Sequence, residues 1–178
     1  VQAVVSGING YPYDEIVEVA VCRADPDTGE YEPLYSNIIG RDPRVLGKAK
    51  LDYLEHTHRI TPGDLYAGEP ERKVAGEVMD IIRGGLVACY DSRQELGRYM
   101  VASPWDVTGS ISVLPSISAR MPISLKCKVP SDSPEIIYKA YHRLFKDDPA
   151  GVGKGRRAMD LAKMSCLLMF HMREKGKY

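Results

Sequence analysis

The sequence predicts an α/β fold with a mixed central sheet, an antiparallel three-strand meander plus parallel strands, flanked by helices on both faces. Three observations carry this. Short β-branched segments separated by turn residues fill the first forty positions. Helical and buried-strand patterns alternate after position 70. The 178 residues suit a single domain spanning 1–178, with no repeat or linker to divide it.

Residues 1–5 read as the first strand, followed by the turn Ser6-Gly7-Ile8-Asn9-Gly10. Residues 15–23 alternate, with Ile16, Val17, Val19 and Val21 apolar, and read as a second strand. Asp25-Pro26-Asp27-Thr28-Gly29 is a strong turn signal, and 31–39 reads as the third strand. Residues 40–50 read as irregular, 51–58 as a short helix, and Thr61-Pro62-Gly63-Asp64-Leu65 as a turn. Residues 71–83 give the clearest early helix: Pro70 sits near its first turn, Val74, Val78, Ile81 and Ile82 form its stripe, and Gly84-Gly85 ends it. The run 86–90 has the continuous apolar character of a buried strand, and 92–101 reads as a helix.

The segment 103–122 is poor in charge. It reads as an exposed loop carrying Trp105, with a short strand around 111–114. Residues 126–134 read as a loop, 136–145 as a helix, 146–155 as a glycine-containing loop, and 156–173 as the last long helix. Ala158, Leu161, Ala162, Leu168, Met169 and Met172 share one face of that helix, a stripe that reads as core.

Apolar residues make up 44% of the chain and charged residues 27%, values that argue against disorder. No apolar run approaches the roughly 20 residues that span a bilayer, so no membrane partner is expected. No signal peptide is visible, and the chain begins at Val1 rather than Met, which leaves room for upstream sequence. Cys22, Cys89, Cys127 and Cys166 form no CxxC pair, which suits reduced thiols in a cytoplasmic protein better than a disulfide framework or zinc site. The net charge is zero but unevenly spread: residues 1–80 carry 15 acidic against 8 basic side chains, and residues 139–178 carry 10 basic against 4 acidic. The basic end suits a phosphate-facing surface, a solvated face, or a tail docked on the acidic half. His56 and His58 form a His-x-His pair, a spacing also common in surface and core histidines.

Four ordered segments resemble the DEDD 3′–5′ exonucleases, an RNase H-like family that includes polymerase proofreading subunits, RNase T and oligoribonuclease. Asp14-Glu15-Ile16-Val17-Glu18-Val19-Ala20-Val21 looks like the family's second strand. Asn37 and His58-Arg59-Ile60-Thr61 look like the Asn-Pro and His-Gly-Ile-Thr that follow the third. Leu86-Val87-Ala88 looks like the lead into Val-Ala-His-Asn, and Arg156-Arg157-Ala158-Met159-Asp160-Leu161-Ala162 like His-Arg-Ala-Leu-x-Asp-Ala. The resemblance spans almost the whole chain. It implies the RNase H-like exonuclease fold and, in active members, phosphodiester hydrolysis at a 3′ end by two divalent metals held by four carboxylates, with a histidine as general base.

The positions that carry this chemistry are changed. The opening Asp-x-Glu falls on Ser6 and Ile8, or on Val5 and Gly7 with a one-residue gap. Cys89-Tyr90 stands for His-Asn, and the next metal-binding Asp falls on Gln94, or on Glu95 with one insertion. The general-base position is Arg156 and the last metal-binding Asp is Leu161; Asp160, one residue away, points about 100° aside on a helix. The resemblance thus implies a catalytically inactive or impaired relative with no catalytic residues and no resident metal. The alternatives are an active divergent exonuclease using Mg²⁺ or Mn²⁺, with Glu18, Asp91, Glu95 and Asp160 as remaining carboxylates, and a protein-interaction module on a retired enzyme fold. The expected ligand is single-stranded DNA or RNA, contacted by Gly7, Asn9, Gly10, Arg156 and Arg157. A protein partner or a second copy of the chain is the other expectation.

Overall fold

The computed structural model describes residues 1–122, 124–125 and 134–178. The loop expected over 126–134, with Cys127, lies outside the described residues except for Pro134. The architecture is α/β. Strands β1 (Gln2–Val5), β2 (Ile16–Asp25) and β3 (Glu30–Ile38) form an antiparallel sheet in that order. Strand β2 is central and covered on both faces, which explains its nearly unbroken apolar sequence. Val17 and Ala20 face one core cluster, and Ile16, Val19 and Val21 the other. Ile16 and Val19, three positions apart, share one face, as do Val17 and Ala20, because the β1–β2 register shifts: Val4 pairs with Glu18 but Val5 with Ile16, leaving Val17 as a bulge.

Helix α1 (Pro43–Leu46) begins at the Asp42 cap, inside the stretch expected to be irregular. Helix α2 (Lys48–Tyr53) continues as a π-helical turn over Leu54–His58, ended by Arg59 in the left-handed region at φ 57°. The expected turn at Thr61 is instead the start of helix α3 (Pro62–Ala67). Asp64 N–H donates to Thr61 Oγ1 at 3.2 Å and Thr61 N–H to Asp64 Oδ2 at 2.7 Å, so Thr-Pro-Gly-Asp acts as a capping box with proline in the first turn.

Helix α4 (Glu71–Ile82) buries Val74, Ala75, Val78, Met79 and Ile82 against one face of the sheet, while Ile81 is exposed, outside the stripe. Strands β4 (Leu86–Val87) and β5 (Ser112–Val113) pair in parallel as their own two-stranded sheet rather than extending the meander. The Val1 amino group donates to the Ala88 carbonyl at 2.8 Å, which sets β1 beside the residue following β4. The helix expected at 92–101 is α5 (Ser92–Gln94), capped by Asp91, continuing as a π-helical turn over Glu95–Tyr99. Trp105, expected on an exposed loop, is buried; its indole N–H donates to Glu71 Oε1 at 2.9 Å. A short helix α6 (Ile117–Arg120) follows β5.

Helix α7 (Pro134–Leu144) packs on α8 (Ala158–Glu174), which covers the other face of the sheet. Three of the four methionines of α8, Met164, Met169 and Met172, are buried in the core, and Met159 is partly buried against it. The N-terminus of α8 is tied to the middle of β2. Glu18, buried on β2, accepts from Arg157 Nε at 2.9 and 3.1 Å and from Ala158 N–H at 2.9 Å, so a carboxylate meets the first free amide of the helix. Asp160 closes a capping box by accepting from Arg157 N–H at 3.1 Å. Burial nevertheless dominates the Glu18 environment and raises its pKa, against the hydrogen bond from Ala158 and the charge of Arg157.

Removing this clamp strands both a guanidinium and a helix N-terminus. Glu18→Ala is expected to cost about 3–5 kcal/mol in urea denaturation. Glu135→Ala, which removes the half-exposed partner of Arg156 3.6 Å away, is expected to cost under about 1 kcal/mol.

Candidate functional site

The turn after β1 is fixed by one buried carboxylate. Asp14 Oδ2 accepts from Gly10 N–H at 2.8 Å, and Lys50 Nζ lies 3.4 Å from Asp14 Oδ1 while also donating to the Tyr13 carbonyl. Gly7 faces this carboxylate so closely that a Cβ would sit 2.5 Å from Asp14 Oδ1, and Gly10 has φ of 73°. Ser6 is buried here: its N–H donates to the Glu15 carbonyl at 2.9 Å and its Oγ accepts from Glu15 N–H at 3.1 Å. The turn therefore holds its backbone inward and presents Ile8, Tyr11 and Tyr13 to solvent. The Tyr11 ring packs edge-on against Tyr99 at 5.9 Å.

Tyr99 also borders a cavity of about 50 Å³ beside β1, a volume suited to a few water molecules. Ala3, Val4 and Val5 form one wall, Asp91, Gln94 and Glu95 another, and His58, Ile137 and Leu161 close it. Glu95 is buried; Oε1 accepts from Gln2 Nε2 at 2.7 Å, Oε2 accepts no conventional hydrogen bond, and the Cys89 thiol is a neighbour of the carboxyl. Burial pushes the Glu95 carboxyl up to about 8, outweighing the Val1 amino group, Cys89 and Gln2, so it is largely protonated at neutral pH. The Gln94 side-chain oxygen is likewise buried without a hydrogen bond. Asp91 spends one carboxylate oxygen on Arg93 N–H at 3.1 Å and Gln94 N–H at 3.4 Å, capping α5.

His58 lies edge-on to Tyr53, with its Nδ1 2.6 Å from the Arg156 carbonyl oxygen. Burial, together with the charges of Arg156 and Arg157, depresses its pKa to about 4, against the pull of that carbonyl. The ring is therefore neutral at pH 7, with Nδ1–H donating to Arg156 and Nε2 left as an acceptor. His56, by contrast, is exposed and bonds through Nδ1 to the Asp52 carbonyl at 2.7 Å, so the two histidines do not converge.

The structure brings Glu95 and Leu161 together at the cavity, with Val5 and Gln94. Arg156 reaches it only through its carbonyl on His58; its guanidinium lies 4.9 Å from the centre of the Tyr138 ring and 3.6 Å from Glu135. Ser6 and Ile8 are not part of the lining, Ser6 being committed to Glu15 and Ile8 to solvent. Gly7, Asn9 and Gly10 belong to the Asp14 turn, and Arg157 is held by Glu18. No hydrogen bond or ion pair joins that turn to either arginine among the described residues. Gln2 and the neutral state of His58 had no sequence signal beyond alternation along β1, because both depend on burial by distant segments.

A pair of divalent cations would need several ionised oxygen ligands. The cavity offers a carboxyl that favours its proton, an amide oxygen, a capping carboxylate and apolar side chains including Leu161, and this set does not fit such a pair. Among the described residues, no three His, Cys, Asp or Glu side chains gather as a metal-ligand group, and no helix is long and apolar enough to cross a membrane. No family model matches the chain, and no curated protein matches it.

The two perturbed groups give the stability a definite pH dependence. Folded Glu95 keeps its proton up to about pH 8, whereas the unfolded residue loses it near 4.5, so stability falls as pH rises between those values. Folded His58 resists protonation down to about pH 4 while the unfolded ring protonates near 6.5, so its contribution falls as pH drops through that window. The trends oppose below pH 6.5, and above it only the Glu95 trend remains. Thermal melts are expected to show stability declining by about 2 kcal/mol from pH 6.5 to 8, and Glu95→Gln is expected to flatten that decline.

Proposed function

We propose that this chain is a catalytically disabled relative of the DEDD 3′–5′ exonucleases on an RNase H-like fold, retaining a surface for single-stranded nucleic acid. The carrying observation is that β1, Glu95 and Leu161, which lie in three segments matched to separate family motifs, meet in one cavity. The element order supports the reading as well: an antiparallel meander, a helix, a parallel strand pair around a helix, and a final helix packed on the meander.

The cavity supports loss of the family's hydrolysis rather than its rearrangement. A metal-activated water needs ionised oxygens, and a general base needs a reachable proton acceptor near its working pH. Leu161 supplies neither, Glu95 favours its proton, and burial depresses the His58 pKa to about 4, well below a base's working range. The arginines are poorer phosphate ligands than their charge suggests, because Arg157 is paired with Glu18 and Arg156 with Glu135 and Tyr138. The turn offers the better contact: exposed Tyr11, packed on the cavity residue Tyr99, and exposed Tyr13 two positions on can stack on unpaired bases.

The test uses labelled single-stranded DNA and RNA with Mg²⁺ or Mn²⁺. The reading expects no 3′ shortening, binding at low salt, and about 5- to 100-fold weaker binding for Tyr13→Ala. Shortening lost in Asp91→Ala or Glu95→Ala would establish an active divergent enzyme. Absence of binding to both nucleic acids at low salt would favour a protein-interaction module.

A further inference from the structure

Cys22 lies on β2 immediately after a second register shift, where it pairs with Pro33, and it is half-buried on the face covered by α8. Its Sγ is 3.6 Å from Met159 Sδ. Met159, Lys163 and Cys166 are spaced by four and three positions and so share one face of α8. That face meets Cys22: the Cys22 and Cys166 thiols interact directly, and the Lys163 ammonium acts on Cys22 through its charge. A strand thiol, a helix thiol and a thioether are thus gathered next to a cation.

The two thiols are not equivalent. Cys166 lowers the Cys22 pKa by favouring the Cys22 thiolate, with burial opposing, whereas contact with Cys22 and burial both raise the pKa of Cys166. Cys22 is also the more accessible of the two. Cys22 is thus the more readily ionised and more accessible sulfur, and Cys166 the one that keeps its proton longer. Cys89 offers no such chemistry: it is fully buried, and desolvation raises its pKa well above the ordinary thiol range.

We propose that Cys22 and Cys166 are an oxidation site at which a peroxide closes a disulfide between β2 and α8. The Cys22 thiolate attacks one peroxide oxygen, the O–O bond breaks, and the departing hydroxide takes up the proton that Cys22 released, leaving as water and a Cys22 sulfenic acid. The Cys166 sulfur then attacks the Cys22 sulfur, the S–O bond breaks, and the hydroxyl leaves as water with the Cys166 proton. Two thiols and one hydrogen peroxide give one disulfide and two waters. The bond would fasten the first half of α8 to the central strand, on the same helix that Glu18 holds at its N-terminus.

The test treats the reduced full chain with hydrogen peroxide, measures the intact mass, and maps disulfide-linked peptides without reduction. The expected result is the loss of two hydrogens, with the link joining the Cys22 and Cys166 peptides. Cys166→Ser is expected to stop at a Cys22 sulfenic acid that dimedone traps, and Cys89→Ala to leave the link unchanged. No loss of hydrogens, or a link through Cys89 or Cys127 instead, would overturn the proposal. The peptide map of the unsubstituted chain decides it even where a variant fails to fold.

Discussion

The structure depends on a carboxylate placed in the middle of its central strand. Glu18 interrupts the apolar run of β2 from Ile16 to Cys22, and it is tolerated because two donors come to it: the Arg157 guanidinium and the Ala158 amide at the start of α8. One interaction thereby fixes where the last helix begins, and with it the packing of the largest core cluster. It also shows how the uneven charge of the chain is used. The basic C-terminal part docks on the acidic N-terminal part, through Arg157 with Glu18 and Arg173 with Asp27.

Fixing α8 at that point brings Leu161 to the cavity, one turn beyond the clamp. The carbonyl of Arg156, just ahead of the clamp, orients His58, and burial keeps that ring neutral. The polar groups that remain at the cavity are arranged around protons rather than fixed charge: Glu95 holds one, Gln2 donates to it, and His58 gives one away. Such a set can hold water or a small neutral polar group, and it differs in kind from a cluster of ionised oxygens. The cavity sits at the junction of β1, α5 and α8, with burial and hydrogen bonds where fixed charge is scarce.

The central strand and the helices α4 and α8 were legible because their residues serve one purpose each, burial on a defined face. Thr61-Pro62-Gly63-Asp64 was not, since the same residues that make a turn also make a helix cap, and only the position of Leu65 in the core separates the two. Trp105 sits in a Ser- and Pro-rich segment whose composition resembles a surface loop; its burial depends on Glu71, 34 positions away. At the cavity, Gln94, Glu95 and Leu161, positions that only the family resemblance singled out, all belong to the lining. For the opening motif the sequence left Ser6 with Ile8, or Val5 with Gly7; Val5 lines the cavity, whereas Ser6 is bonded to Glu15 and Ile8 faces solvent. The phosphate role assigned to Arg157 could not be judged without seeing that Glu18 neutralises it.

The cavity at β1 lacks the fixed charge needed to hold a pair of divalent metal ions. Titrating Mn²⁺ into the chain and following its electron paramagnetic resonance signal tests this most directly. The account predicts that the free Mn²⁺ signal persists at near-stoichiometric protein, unchanged by Glu95→Gln. Loss of the signal to a tightly bound pair of ions, restored by Glu95→Gln or Asp91→Ala, would contradict it.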